Sequence, residues 1–444
     1  MDFFTWFIIP LEMSRENLYN VASMINYRLV INGPTALEGE VSVSGAKNAS
    51  LPELAASILT GEKCVLERVP EIEDIKTMLT AIRDIGGSAD LDSNRVEIKM
   101  DRLVSPIVKR EISETSRSSI LILGPLIARN GYAKVAMPGG CDIGDRNINY
   151  HIEGLRRMGV NIDTEQEKGY IIAESKRLKG IDFVFPGKTV TGTENILMAS
   201  VLAEGETILK NCAVEPEVTD LAEYLVSMGA EIDGIGTDML VIKGKSSLHG
   251  ASHSVIPDRI EAGTYLIAAC FKGNNIKIKG GNPGHIKSVL DILGNIGCRI
   301  TSDNGIMSVS KGELKNGIHV ETEPFPGFPT DLQAQLTTLM TQIEGISSIR
   351  ENIFNNRFKH AIELNKLGAD IEISENKSII KGRTHLTGAY VRATDLRASA
   401  SLVLAGLLAE GKTVIDNSYQ LFRGYEDMHI KLNKIGADIK VIEV

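Results

Sequence analysis

The sequence predicts an α/β chain made of six copies of one unit of about 70 residues, three copies to each of two domains. Two independent markers carry this expectation. The first is an apolar-periodic run closed by a glycine: Ile85-Gly86, Met158-Gly159, Met228-Gly229, Ile296-Gly297, Leu367-Gly368 and Ile435-Gly436, with gaps of 73, 70, 68, 71 and 68 residues. The second is an Ala/Leu-rich run ending in Gly61, Gly131, Gly205, Gly273, Gly345 and Gly411, with gaps of 70, 74, 68, 72 and 66 residues. A third observation is length, since 444 residues exceed what one core ordinarily serves.

The elements follow in order from these markers. A glycine directly after a helical run reads as a left-handed C-terminal cap. Alternating residues follow it, as in Ala230-Glu231-Ile232-Asp233 and Ala437-Asp438-Ile439-Lys440, and read as a strand. The second set of glycines leads into β-branched residues, as in Thr207-Ile208-Leu209 and Thr413-Val414-Ile415, again a strand. Each unit then reads β-α-β-α-β-β. The patterned chain begins near Tyr27, so residues 1–26 are expected to be an N-terminal extension, with Met24 a reasonable alternative start. Residues 3–11 are apolar but too short to span a bilayer; Asp2 precedes them and no small-residue cleavage site follows, which argues against a secretory signal.

Composition narrows the function. The net charge of −9 argues against a nucleic-acid binder. Five scattered cysteines (Cys64, Cys141, Cys212, Cys270, Cys298) form no CxxC pair, so neither a disulfide framework nor a zinc knuckle is supported, and a reducing compartment fits. No metal-ligand cluster and no Walker or Rossmann glycine pattern is legible.

Several segments interrupt the rhythm. Pro138-Gly139-Gly140-Cys141-Asp142-Ile143-Gly144-Asp145-Arg146 presents a thiol near a guanidinium on a loop, whereas the matched junctions Glu67-Arg68-Val69-Pro70, Ala213-Val214-Glu215-Pro216, Gly280-Gly281-Asn282-Pro283 and Asp416-Asn417-Ser418 carry none. Ser44-Gly45-Ala46-Lys47-Asn48-Ala49 places a lysine at a helix start, either simply solvated or held beside backbone N–H groups to receive an anion. Phe328-Pro329-Thr330-Asp331 sets Asp331 at a loop-to-helix junction, as an N-cap or as a general base. Arg357, Arg397 and Arg423 lie at element edges, where guanidinium geometry would suit an anion bearing carboxylate and phosphate. His151 reads as structural or as a minor binder.

These residues resemble the enolpyruvyl transferase family over about 27–444. The markers are Ser44-Gly45-Ala46-Lys47-Asn48, Pro138-Gly139-Gly140-Cys141, Phe328-Pro329-Thr330-Asp331, Asp395-Leu396-Arg397-Ala398-Ser399-Ala400 and Arg423-Gly424-Tyr425-Glu426. The resemblance implies a two-domain inside-out α/β barrel with a cleft between the domains. One domain, 27–46 with 257–444, would carry both chain ends and Asp331, Arg357, Arg397 and Arg423. The other, 47–256, would carry the Cys141 loop as a lid.

The resemblance also implies a reaction: the enolpyruvyl group of phosphoenolpyruvate passes to the 3-hydroxyl of UDP-N-acetylglucosamine and phosphate leaves, opening peptidoglycan synthesis. Cys141 would be the general acid and Asp331 the base. Lys47, Arg117, Arg146, Arg357, Arg397 and Arg423 would supply positive charge, with Asn48, Asn149, Thr189, Val190, Thr191 and Ile353 further substrate contacts. Fosfomycin would label Cys141. The partners implied are phosphoenolpyruvate and a UDP-sugar, with no nucleic acid, membrane, metal or organic cofactor, in the cytoplasm; the oligomeric state stays open.

Two departures fall on the nucleotide side. The family usually reads Arg-Pro-Val-Asp where this chain has Arg146-Asn147-Ile148-Asn149, and Ser-Val-Gly-Ala-Thr where it has Thr189-Val190-Thr191-Gly192-Thr193, which displaces the glycine by one. They leave a second reading open, a paralogue acting on UMP or another nucleotide. A third is a paralogue that binds a nucleotide without catalysis.

Overall fold

The computed structural model describes residues 27–139, 148–164, 169–311, 314, 316–355 and 357–443. The chain divides into two compact units: 27–43 with 259–443, and 44–139 with 148–258. Each has its own hydrophobic core. The expected extension 1–26, Cys141 and Arg146 lie outside the described residues.

The architecture is α/β. In the unit of 27–43 with 259–443, three four-stranded sheets are described. In the first, Tyr390–Arg392 runs parallel to Gly411–Asp416, which pairs antiparallel with Tyr27–Gly33, itself antiparallel to Ile439–Glu443. The second pairs Glu38–Ser42 parallel to Asn275–Lys279, and the third pairs His319–Glu321 parallel to Gly345–Arg350. The other unit repeats the scheme, with Ser252–Ser254, Ile107–Val108 and Asp182–Val184 as the parallel edge strands. Two of these edge strands come from far along the chain. Glu38–Ser42 joins a sheet otherwise built from 275–311, and Ser252–Ser254 joins one built from 64–99. The first pairing ties 27–43 to 259–443 in one unit, whereas the second closes the run 44–258 on itself.

The strands show why one face is buried. In Asn275–Lys279, Ile276 and Ile278 are buried while the residues between and beside them are exposed, the alternation of a sheet with one dry side.

The helices fall into two kinds. Glu73–Asp84, Pro216–Ser227 and Lys287–Asn295 are amphipathic and bury one face. Lys47–Ala56, Val190–Ser200, Arg259–Ala269, Gln333–Met340 and Leu396–Leu408 are buried nearly all round. Ala, Ser and Thr let these helices pack closely, and their hydroxyls return to the backbone one turn earlier. Ser50 donates to the Ala46 carbonyl, Ser200 to Ile196, Thr264 to Ile260 and Thr337 to Gln333. A hydroxyl satisfied inside its own helix can be buried at little cost. Among the described residues no helix is long and apolar enough to cross a membrane.

Candidate active site

Most of the residues singled out in the sequence sit where the buried helices begin. Helix N-termini expose N–H groups and a positive dipole end, so this placement favours anions.

Lys47 opens the helix Lys47–Ala56 and is 9% exposed. Its Nζ lies 2.5 Å from Asp74 Oδ2, on the first turn of Glu73–Asp84. Its backbone N–H donates to Asp258 Oδ2, and the Ala46 N–H donates to the Ile256 carbonyl. Gly45 makes this entry possible: a Cβ there would fall on the Arg68 carbonyl oxygen. Lys47 is therefore neither a solvated lysine nor an unoriented cation. Asn48 is half-buried.

Arg117 opens the 3-10 helix Arg117–Ile122, and its Nη1 donates to the Gly139 carbonyl. The Gly139 N–H donates in turn to the Ser113 carbonyl, so the described foot of the cysteine loop is held on both sides of Gly139.

Thr189 caps Val190–Ser200, its hydroxyl accepting from the Gly192 N–H. Gly192 is needed for that cap, because a Cβ would collide with the Thr189 side chain. The displaced glycine thus serves the helix start. Thr191 is exposed, and its hydroxyl lies 3.2 Å from His151 Nε2. Asn195 uses its Oδ1 to accept from the Gly124 N–H, so its amide NH2 faces His151 Nδ1 at 2.9 Å. His151 is therefore the Nε2–H tautomer, donating to Thr191. Burial, then the Arg117 charge, push its pKa down to about 4. His151 is a neutral positioning group. Asn149 begins the helix Asn149–Arg157 and is exposed.

The second constellation lies in the unit of 27–43 with 259–443. Asp331 sits in the 3-10 turn Thr330–Leu332, before Gln333–Met340, and its side chain makes no N-cap. It bridges two guanidiniums instead. Its Oδ1 is 2.8 Å from Arg357 Nη2, and its Oδ2 accepts from Arg397 Nη2 at 2.8 Å and Nε at 3.2 Å. Burial alone would raise the Asp331 pKa, but Arg397 and Arg357 outweigh it and hold the carboxyl well below its ordinary value. Arg397 is fixed at the start of Leu396–Leu408, where Asp395 accepts from the N–H groups of Arg397 and Ala398. The Arg397 guanidinium also lies over the Tyr425 ring, 5.4 Å from its centroid. Arg423 closes the short helix Tyr419–Phe422 and donates to Gln420 Oε1. Ile353 is 37% exposed on the turn that leads to Arg357.

A profile of the family described as EPSP synthase (3-phosphoshikimate 1-carboxyvinyltransferase) matches residues 31–432. The chain belongs to this enolpyruvyl transferase family. A UDP-N-acetylglucosamine 1-carboxyvinyltransferase of Koribacter versatilis (strain Ellin345) is 50% identical over 420 residues, 94% of this chain and 96% of that one. The enolpyruvyl transferase NikO of Streptomyces tendae superposes with a TM-score of 0.85 at 25% identity, over 95% of this chain and 100% of its own. An EPSP synthase of Acinetobacter baumannii shares the fold, with a TM-score of 0.72 at 22% identity over 94% of this chain and 99% of its own.

Within this enolpyruvyl transferase the structure brings Asp331, Arg357 and Arg397 into one ion-paired group and sets Thr191 against His151, with Thr189 capping the helix that carries Thr191. Lys47 and Arg117 stand at their own helix starts. Two partners were missed from the sequence. Asp74 shares the core-facing phase with Ile75 and Met78, so an acid on an apolar face was the available signal. Glu351 had none.

The sequence also showed no metal-ligand cluster, yet Glu53, Asp220 and His253 gather within ligating range. The three come from distant segments, which is why no motif announced them. Asp220 and His253 pair with each other, while both Glu53 carboxyl oxygens are buried without a hydrogen-bond partner. Asp220 accepts from the Ile256 N–H and lies 2.8 Å from His253 Nε2. Burial, then the Asp220 charge, hold the Glu53 carboxyl well above its ordinary value.

Proposed function

We propose that this chain transfers the enolpyruvyl group of phosphoenolpyruvate to the 3-hydroxyl of UDP-N-acetylglucosamine, releasing phosphate, as the first committed step of peptidoglycan synthesis in the cytoplasm. The observation that carries the reading is the relative of that activity, 50% identical across 94% of the chain. The helix-start cations support it, because both substrates are anions.

In this reading the Cys141 thiol protonates carbon 3 of the vinyl group. The sugar hydroxyl oxygen bonds to carbon 2, and Asp331 takes its proton. The Cys141 thiolate then takes a proton back from carbon 3 as phosphate leaves carbon 2, which restores the double bond and the thiol, and the proton held by Asp331 returns to solvent. A carboxylate with so low a pKa is a weak base, which suits a hydroxyl that becomes acidic only as it attacks a cationic carbon. Lys47, Arg117, Arg146, Arg357, Arg397 and Arg423 hold the phosphoenolpyruvate anion and the charge that develops. Asn48, Asn149, Thr189, Val190, Thr191 and Ile353 complete the substrate contacts. We extend the proposal to the fold: six β-α-β-α-β-β copies, three per domain, in an inside-out barrel, with domains 27–46 plus 257–444 and 47–256.

Asn149, where the family usually has an acid, favours one second reading, an acceptor such as UMP. Phosphate release from phosphoenolpyruvate, measured with each acceptor in turn, separates the two. Release that needs UDP-N-acetylglucosamine supports the first, and release with UMP alone overturns it.

A further inference from the structure

Glu351 is 2% exposed, and its carboxylate accepts four hydrogen bonds. Oε1 accepts from the Thr322 hydroxyl at 2.9 Å and from the N–H groups of Ile353 at 2.9 Å and Phe354 at 3.1 Å. Oε2 accepts from the Thr330 hydroxyl at 2.9 Å. That hydroxyl, its proton committed to Glu351, turns a lone pair to Arg357 Nη1 at 2.8 Å. The other arm of the same guanidinium, Nη2, is on Asp331. One buried carboxylate thus folds the turn bearing Ile353 and orients the arginine that orients Asp331. The Thr322 hydroxyl also accepts from the Asn352 N–H, so both ends of the turn are tied to this point.

We propose that Glu351 is a positioning residue for the transfer reaction, acting through the Thr330 hydroxyl on Arg357 and so on Asp331. The proposal rests on the reading of Asp331 as the base. A carboxylate at this place does what an apolar residue cannot. It fixes the direction of the Thr330 O–H, which on a rotatable hydroxyl is otherwise free to point its proton at the guanidinium and repel it. Without that orientation Arg357 keeps its charge, its contact with Asp331 and its place 5.3 Å from the centre of the Phe354 ring, but loses its hydrogen bond to Thr330. Small misplacement of a reacting group is expensive in rate. In Glu351→Gln, Oε1 keeps the three donors of the turn, so Ile353 stays in place. The amide NH2 then faces the Thr330 oxygen, and the hydroxyl loses its acceptor.

The test is a double-mutant cycle on the full chain, with phosphate release as the readout. Thr330→Val and Glu351→Gln each lower kcat about tenfold, the size of one charge-assisted hydrogen bond. The double variant is no worse than either single one, because both cut the same link. The acceptor KM changes less than threefold in Glu351→Gln, and Thr330→Ser keeps kcat within threefold of the wild type. Multiplying effects, or a Glu351→Gln kcat within twofold of the wild type, overturn the proposal and leave the functional reading standing. A wild-type chain that releases no phosphate with any acceptor overturns the functional reading and the proposal together.

Discussion

Replacing Asp331 with asparagine isolates the ion-paired group, because the shape stays and the charge goes. Each guanidinium has a nitrogen 2.8 Å from a carboxylate oxygen, and the side chains of Arg357 and Arg397 are each 5% exposed. Breaking a buried pair typically costs about 3–5 kcal/mol. The Asp331 side chain is 24% exposed, so water offsets part of that, and the amide oxygen still accepts one bond. The expected loss at pH 7 is about 2 kcal/mol, which lowers the melting temperature of a unit this size by roughly 4–8 °C. The pH dependence follows from the depressed pKa. Between the folded value and the ordinary 3.8, the unfolded chain binds the proton and the folded chain does not. The stabilisation is therefore complete above 3.8 and is lost as pH falls through the folded value. Urea unfolding of both proteins at matched pH reads the difference. It should be constant from pH 7 to about pH 5 and narrow only in stronger acid. An asparagine variant as stable as the wild type at pH 7, or a gap that closes between pH 7 and pH 5, refutes the reasoning.

Further outcomes follow from other sites. Asp74→Ala takes away the carboxylate 2.5 Å from Lys47 and should cost about 2–4 kcal/mol of stability while raising the KM for phosphoenolpyruvate, read by denaturation and steady-state kinetics. His151 should appear in nitrogen NMR as the neutral Nε2–H tautomer at pH 6. Its folded pKa is depressed, so its stabilisation is present above 6.5 and lost toward about 4; a charged ring at pH 6 contradicts this. Gly45→Ala should destabilise the unit by more than about 2 kcal/mol, since the Arg68 carbonyl must move, and a neutral effect in thermal melts would contradict the close approach. Cys141→Ser should abolish most turnover and labelling by fosfomycin while sugar-nucleotide binding, followed by calorimetry, survives.

The glycine phrases were legible because backbone chirality writes them directly. Gly86, Gly159, Gly229, Gly297, Gly368 and Gly436 all have positive φ, as C-terminal caps require. The second set follows suit at Gly131, Gly205, Gly273, Gly345 and Gly411, whereas Gly61 is not left-handed. Helix starts were legible for the same local reason. What lay beyond was pairing at a distance. Asp331 could be read as a cap or a base at its junction, but its arginines stand later in the chain and no local pattern joins them. Glu351 resembles any acid at the end of a strand until its four donors are seen together. Gly192, displaced by one from the family's usual place, leaves in the fold the room that the Thr189 cap occupies.

The most direct measurement is an acceptor comparison with phosphoenolpyruvate at saturation, in which UDP-N-acetylglucosamine, UMP and shikimate 3-phosphate are each tested for phosphate release and for a new enolpyruvyl ether by mass spectrometry. The account predicts product with UDP-N-acetylglucosamine at a kcat/KM at least a hundredfold above the others. Product with UMP or shikimate 3-phosphate, and none with UDP-N-acetylglucosamine, would contradict it.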